Sequence, residues 1–114
     1  MENQEKTVND DVPLSQGQEE IKLKKYAFAS ARALAADHIG YCYRDTPENN
    51  IDSGWRFLYG DEDDDFLDNP GNSEAVYPED MLSINPALDV ILGAPIGTEF
   101  EWDEETESYI ELMD

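Results

Sequence analysis

The chain has 114 residues, of which 28 are Asp or Glu and only 7 are Lys or Arg, so its formal net charge is −21. This length suits one domain with a single core, and the 11% of aromatic residues is more than a fully disordered acidic chain carries. Few cations are available to neutralise nucleic-acid phosphates or to dock on an anionic membrane, so neither is expected as a direct partner.

The negative charge is concentrated in the second half of the sequence. Residues 61–114 hold eighteen acids and no Lys or Arg, whereas residues 1–60 hold ten acids and all seven cations. An acidic half-molecule of this kind attracts a basic partner and speeds its encounter. A solvated face that only keeps the chain soluble would carry the same pattern, so charge alone leaves both interpretations open.

The first twenty residues differ from the remainder in composition. Residues 1–20 are polar, so we expect a flexible arm before a domain over residues 21–114. These residues also lack the apolar region of a signal peptide. No apolar run of about 18 residues is present that would cross a membrane. Cys42 is the single cysteine, which excludes an internal disulfide. These features predict a cytoplasmic protein.

Strand patterns dominate the first half of the domain. Alternation of apolar and polar residues predicts strands over residues 24–30, 38–44 and 54–60, with a short helical turn over residues 31–37. The aromatic residues at strand spacing are expected to lie mostly in the core: Tyr41, Tyr43, Trp55, Phe57 and Tyr59.

Short helices and a hairpin are expected in the second half. Acidic residues favour a helix start within residues 61–68, and proline and glycine punctuation predicts short helices over residues 78–84 and 87–92. Residues 98–102 and 108–112 fit the two strands of a hairpin. The sequence therefore predicts an α+β domain, built mainly on an antiparallel sheet of about five strands with short helices.

Acidic residues after the third strand resemble only part of a calcium loop. Asp61, Asp63 and Asp65 occupy the first, third and fifth positions. The sixth position is Phe66 where Gly is needed, and the twelfth is Asn72 where a bidentate Glu is needed. The spacing excludes an EF-hand and leaves weak cation binding as an alternative.

His38 and Cys42 lack the spacing that catalysis requires. On a strand, residues four apart are separated by roughly 13 Å, too far for direct proton transfer. Two ligands are also too few for zinc. Carboxylate pairs are so numerous that no glycosidase-type couple stands out. We therefore predict no catalytic residue, no metal and no cofactor, and we expect Cys42 in the core.

Four stretches of the sequence together carry a family resemblance. They are the Tyr43–Arg44 pair, residues 52–57 (DSGWRF), residues 60–63 (GDED), and Asn85–Pro86 followed by residues 94–98 (APIGT) and Phe100. This pattern resembles the immunity protein 33 domain family over about residues 26–103. That family occurs with bacterial polymorphic toxin systems. The resemblance implies a small cytoplasmic, non-enzymatic protein that protects its producer by binding a cognate toxin, and it supplies no established binding residues.

Candidate partner-binding residues lie in the segment that contains the two most specific stretches. They are Asp52, Trp55, Arg56, Asp61, Glu62, Asp63, Asp64 and Asp65. The aromatic residue is expected to anchor the segment, while the five consecutive acids face a partner that has a basic surface, such as a nuclease toxin. The alternative acidic surface is Asp103, Glu104, Glu105 and Glu107. The isolated cations Arg44 and Arg56 are expected to form internal ion pairs with Asp52 or with the acids at 61–65.

Two other function classes remain alternatives at this point. An acidic regulatory or nucleic-acid-mimic module would bind several basic proteins with salt-sensitive affinity. An enzyme or metal-binding domain would require carboxylates that converge in a cleft.

Overall fold

The computed structural model describes residues 24–113, so the predicted arm over residues 1–20 lies outside the described residues. The strands are β1 (Tyr26–Ser30), β2 (Tyr41–Arg44), β3 (Asp52–Leu58), β4 (Ser73–Val76), β5 (Glu99–Asp103) and β6 (Ser108–Glu111). The α-helices are α1 (Ala31–Ala36) and α2 (Asp64–Asp68), and three 3₁₀ segments span Pro70–Asn72, Pro78–Ser83 and Pro86–Val90.

The six strands of the described residues join one sheet in the order β4-β1-β3-β2-β5-β6. Only β1 and β3 run parallel; the other four neighbouring pairs are antiparallel. The prediction of a mainly antiparallel α+β domain is confirmed. Strand β4 was missed because its sequence, SEAV, is too short and polar to show alternation, and its pairing with β1 decides its conformation.

One face of the sheet carries the hydrophobic core. Ala27, Ala29, Cys42, Trp55 and Phe57 are buried there. Helix α1 and the second and third 3₁₀ segments cover this face through four further buried residues: Ala33, Met81, Leu88 and Ile91. The short helices predicted from the proline punctuation are confirmed, and they adopt the tighter 3₁₀ form. None of the described helices exceeds six residues, which is too short to cross a bilayer.

The opposite face of the sheet, here called the open face, is set by strand register. Cys42 pairs with Phe57, and both side chains lie on the core side. The neighbouring Tyr41 and Tyr43 pair with Leu58 and Arg56 and therefore lie on the open face. The open face also includes Phe28 on β1, Glu99 and Glu101 on β5, and Ile110 on β6.

Tyr41 and Tyr43 are therefore exceptions to the expectation that these aromatic residues lie mostly in the core, while Trp55 and Phe57 are buried as expected. Tyr59 is partly buried and packs against the core. Alternation shows which residues share a face, but it does not show which face other elements cover.

Gly54 permits the bend at the start of β3. Its φ is +90°, and a Cβ atom there would lie 2.3 Å from the carbonyl oxygen of Asp45. We expect Gly54→Ala to lower the free energy of unfolding by about 2 kcal/mol or more, because strained backbone and a steric clash act together. Urea denaturation measures the effect.

Gly93→Ala is the matched control, since a Cβ at Gly93 meets no atom of residues 24–113 within 4 Å. We expect its free energy of unfolding to stay within about 0.5 kcal/mol of the parent protein. Equal losses in the two variants would contradict the role assigned to Gly54.

Candidate protein-binding site

A buried ion pair holds the start of β3. The Asp52 side chain is 0% exposed and that of Arg56 is 11% exposed. The Nη1–Oδ1 and Nη2–Oδ2 distances between them are 3.0 and 2.8 Å. The backbone amides of Glu48 and Gly54 each donate to the same carboxylate at 2.8 Å. The Arg56 guanidinium, helped by these amides, holds the pKa of Asp52 well below its ordinary range. The predicted pairing of these two residues is confirmed.

Arg44 forms a second anchor, and the expectation that it pairs with Asp52 or with the acids at 61–65 was wrong. Its Nε donates to the carbonyl oxygen of Ser53 and its Nη1 to that of Ala94, both at 2.8 Å. Trp55 is 1% exposed, and its indole Nε1 donates to the carbonyl oxygen of Leu92 at 3.1 Å. These bonds tie the loop after the third 3₁₀ segment to the sheet. Three of the family-like stretches, at Arg44, residues 52–57 and residues 94–98, are therefore joined by hydrogen bonds, and the buried Asp52 and Trp55 act within the fold and not on its surface.

Asp61 and Asp63 each have a hydrogen-bond partner within the fold. Asp61 pairs with Arg32 of α1, with 2.6 Å between Oδ2 and Nη2. Asp63 caps α2, and its carboxylate accepts the backbone amide of Phe66 at 2.8 Å. The two carboxylates are thus committed to different groups. Within residues 24–113, no three His, Cys, Asp or Glu side chains are grouped so that they could hold a metal ion.

Glu62 closes the turn that follows β3. Its carboxylate accepts the backbone amides of Tyr59 and Gly60 at 2.7 and 2.8 Å, and also the hydroxyl of Ser30. The same hydroxyl accepts the amide of Ala33 and so caps α1. Partial burial opposes ionisation of Glu62, but the hydroxyl and amide donors together lower its pKa. Glu62 therefore joins the turn to helix α1.

Asp64 and Asp65 differ from the three preceding acids. Both are exposed in the first turn of α2, and within the described part of the chain neither has a hydrogen-bond or ion-pair partner. Acids in the first turn also complement the helix dipole. Of the five acids predicted to face a partner, these two have the charge most available to one.

The alternative acidic surface lies at the tip of the β5–β6 hairpin. Asp103 accepts a hydrogen bond from the hydroxyl of Thr106 at 2.8 Å, while Glu104, Glu105 and Glu107 are exposed. Glu107 adopts a positive φ of 53°, which closes the turn. Both acidic surfaces that the sequence indicated are therefore exposed.

The single cysteine has the environment of a core residue. Cys42 is 0% exposed, and burial raises the pKa of its thiol to about 12. The ring of His38 packs edge-on against Tyr59, with 5.6 Å between the ring centroids. A thiol with so high a pKa is almost entirely protonated at neutral pH and is a poor nucleophile.

A concave pocket of about 330 Å³ opens on the open face, between the sheet and α2. Its apolar and aromatic lining comes from Phe28, Tyr43, Leu58 and Leu67, and Arg56 also lines it. Of these residues, only Arg56 belongs to the partner-binding candidates that the sequence indicated. One signal was present in β1, where small Ala27 and Ala29 alternate with aromatic residues, a pattern that places apolar side chains on both faces.

The model of the immunity protein Imm33 domain matches residues 27–112. No curated protein and no solved structure matches the chain. The matched range contains every candidate partner-binding residue described above and both acidic surfaces.

Proposed function

We propose, from the premise that this chain belongs to the immunity protein Imm33 domain family, that it neutralises a cognate bacterial toxin in the cytoplasm by binding it directly. The family match over residues 27–112 is the observation that carries this proposal. In this function the protein occludes a surface of the toxin and catalyses no reaction. The anchors at Asp52, Arg44 and Glu62 are consistent with such a role, because they stiffen the fold beneath an exposed surface.

The charge distribution supports a toxin with a basic surface. Eighteen acids and no Lys or Arg lie in residues 61–114. Toxins that act on nucleic acid need basic surfaces to hold their substrate, and an acidic protein complements such a surface. The same charge disfavours nucleic acid and anionic membranes as direct partners of this chain.

The direct test measures binding to the toxin encoded beside this gene. We expect the full chain to bind that toxin with a Kd of about 1 µM or tighter, and co-expression to restore growth of cells that express the toxin. An absence of both binding and protection would contradict the proposal. Comparable affinity for a panel of unrelated basic proteins would instead favour the acidic regulatory or nucleic-acid-mimic alternative.

A charge-neutralising pair of variants tests the contribution of α2. We expect the double variant Asp64→Asn/Asp65→Asn to weaken toxin binding about tenfold at low salt, mainly through slower association. Stability should change little, because neither side chain has a partner among residues 24–113. Replacing all five acids would be less informative, since Asp61, Glu62 and Asp63 also stabilise the fold.

The control for these variants is Glu104→Gln/Glu105→Gln at the hairpin tip. It removes the same formal charge from exposed residues, and we expect an affinity change below about twofold. High salt should remove the difference between the two double variants, because it screens exposed charges. A larger loss at the hairpin tip would assign binding to the alternative acidic surface.

A further inference from the structure

The open face is the part of the sheet that the other described elements cover least. Helix α1 and two of the 3₁₀ segments pack on the core face, while among residues 24–113 outside the sheet only Leu67 and Pro70 line the open-face pocket. Phe28, Tyr43 and Leu58 remain half-buried around this pocket. Aromatic and aliphatic side chains that line a concave site provide the contacts typical of an interface centre.

Arg56 is the one cation among the described residues that line the pocket, and its charge is already neutralised. Arg56 is paired through two hydrogen bonds with buried Asp52, and its guanidinium carbon lies 4.9 Å from the centroid of the Phe28 ring. An anionic group entering the pocket would have to compete with the Asp52 carboxylate for this guanidinium. The pocket is therefore suited to an apolar side chain.

Acidic residues lie next to pocket-lining residues on two elements, helix α2 and strand β5. On the α2 side, Asp64 lies three residues before Leu67, a spacing that places both on one side of a helix. On the β5 side, Glu99 and Glu101 pair across the sheet with Tyr43 and Tyr41. Both glutamates are exposed, and Glu99 accepts the hydroxyl of Tyr41 at 3.1 Å. An apolar centre with acids on these two elements complements a segment that is apolar in the middle and basic at its flanks.

We propose that the open-face pocket is the centre of the toxin interface, and that it takes an apolar side chain of the toxin flanked by Lys or Arg residues. This inference rests on the proposed function and adds the surface and the chemistry of the bound segment. A second copy of this chain is a poorer occupant, since it would bring its own acids against Glu99 and Glu101.

The test introduces a cation at the pocket wall. We expect Leu67→Arg to weaken binding of the full chain to its toxin about 30-fold or more, because it fills the apolar site and repels a basic segment. Val90→Arg is the matched control. Val90 is an 86% exposed apolar residue on a different element, so the variant changes the net charge equally, and we expect an effect below about twofold.

A second variant keeps the test decisive if Leu67→Arg proves unstable. Glu99→Gln/Glu101→Gln changes two exposed residues and retains an acceptor for Tyr41. We expect it to weaken binding about tenfold through slower association. Thermal melting of each variant separates a loss of binding from a loss of folding.

The outcomes distinguish this inference from the function on which it rests. If the parent protein binds no toxin, both fail. If the parent binds and both open-face variants keep its affinity, only the pocket is wrong. Self-association of the free protein that Leu67→Arg abolishes, with toxin affinity unchanged, would assign the face to a second copy and also overturn the inference.

Discussion

Asp52→Ala is expected to lower the free energy of unfolding by about 3–5 kcal/mol, because it leaves a buried guanidinium without its counter-charge. The backbone amides of Glu48 and Gly54 would lose the same acceptor. Urea denaturation at neutral pH measures the loss, and far-UV circular dichroism shows whether the variant still folds.

The chain provides a matched control in its exposed Asp–Arg pair. Asp61 and Arg32 also form two side-chain hydrogen bonds, but their side chains are 53% and 48% exposed. We expect Asp61→Ala to lower the free energy of unfolding far less than Asp52→Ala does, since solvent screens an exposed pair. Similar losses in the free energy of unfolding for Asp61→Ala and Asp52→Ala would show that burial does not make the Asp52–Arg56 pair more stabilising than an exposed pair.

The pH dependence of this effect has a defined sign. The pKa of folded Asp52 lies below the ordinary value of 3.8 that it regains on unfolding. Ionised Asp52 therefore contributes its full stabilisation of the folded state at pH values above that ordinary pKa. The contribution is lost as the pH falls toward the lower pKa of Asp52 in the folded state. The stability difference between the parent and Asp52→Asn should be full at neutral pH and shrink below about pH 4. A difference that stays constant on acidification would contradict the depressed pKa.

Trp55→Ala is the second substitution with a large expected effect. Trp55 is 1% exposed, and its ring is stacked on Phe57 with 5.9 Å between centroids. Removing the ring leaves a cavity at the centre of the core, so we expect a loss of about 3–5 kcal/mol in the free energy of unfolding. Trp55→Phe keeps a ring but loses the hydrogen bond to Leu92. We expect it to cost less, with about 1 kcal/mol of the loss due to this hydrogen bond.

Trp102 supplies the comparison within the same chain. Trp102 is only half-buried and packs edge-on against Tyr109. We expect Trp102→Ala to cost less than Trp55→Ala in the same denaturation experiment, because less apolar surface returns to water. A larger cost at Trp102 would place the centre of the core elsewhere. Toxin affinity of Trp55→Phe should remain within about twofold of the parent, since a buried residue makes no direct contact.

Local sequence patterns predicted most of the secondary structure. Alternation in residues 24–30 and 38–44 led to β1 and β2, and the prolines at 78 and 86 led to two short helical segments. These signals work because side-chain period and restricted backbone angles act over a few residues. Strand β4 gave no such signal, since its conformation depends on pairing with β1.

The candidate site was only partly predictable for the same reason. The acids at 61–65 are evident in the sequence, but it does not reveal that Asp61 meets Arg32, which lies 29 residues earlier, or that Glu62 meets Ser30, 32 residues earlier. These contacts arise only when helix α1 packs beside the turn after β3. Together with the helix-capping role of Asp63, these contacts distinguish the unpaired side chains of Asp64 and Asp65 among residues 24–113 from those of Asp61, Glu62 and Asp63, which have partners within the fold.

The sequence by itself determined the uneven charge, the single-domain length and the family resemblance, because these are properties of composition and of residues close together in the chain. Tertiary structure alone decided which face of β2 is covered. Pairing of Cys42 with Phe57 turns Tyr41 and Tyr43 toward the open face, and the packing of α2 against that face makes the pocket. Alternation along a strand defines which residues share each of its two faces. Which face is covered, and which stays available to a partner, depends on the elements that pack against the sheet.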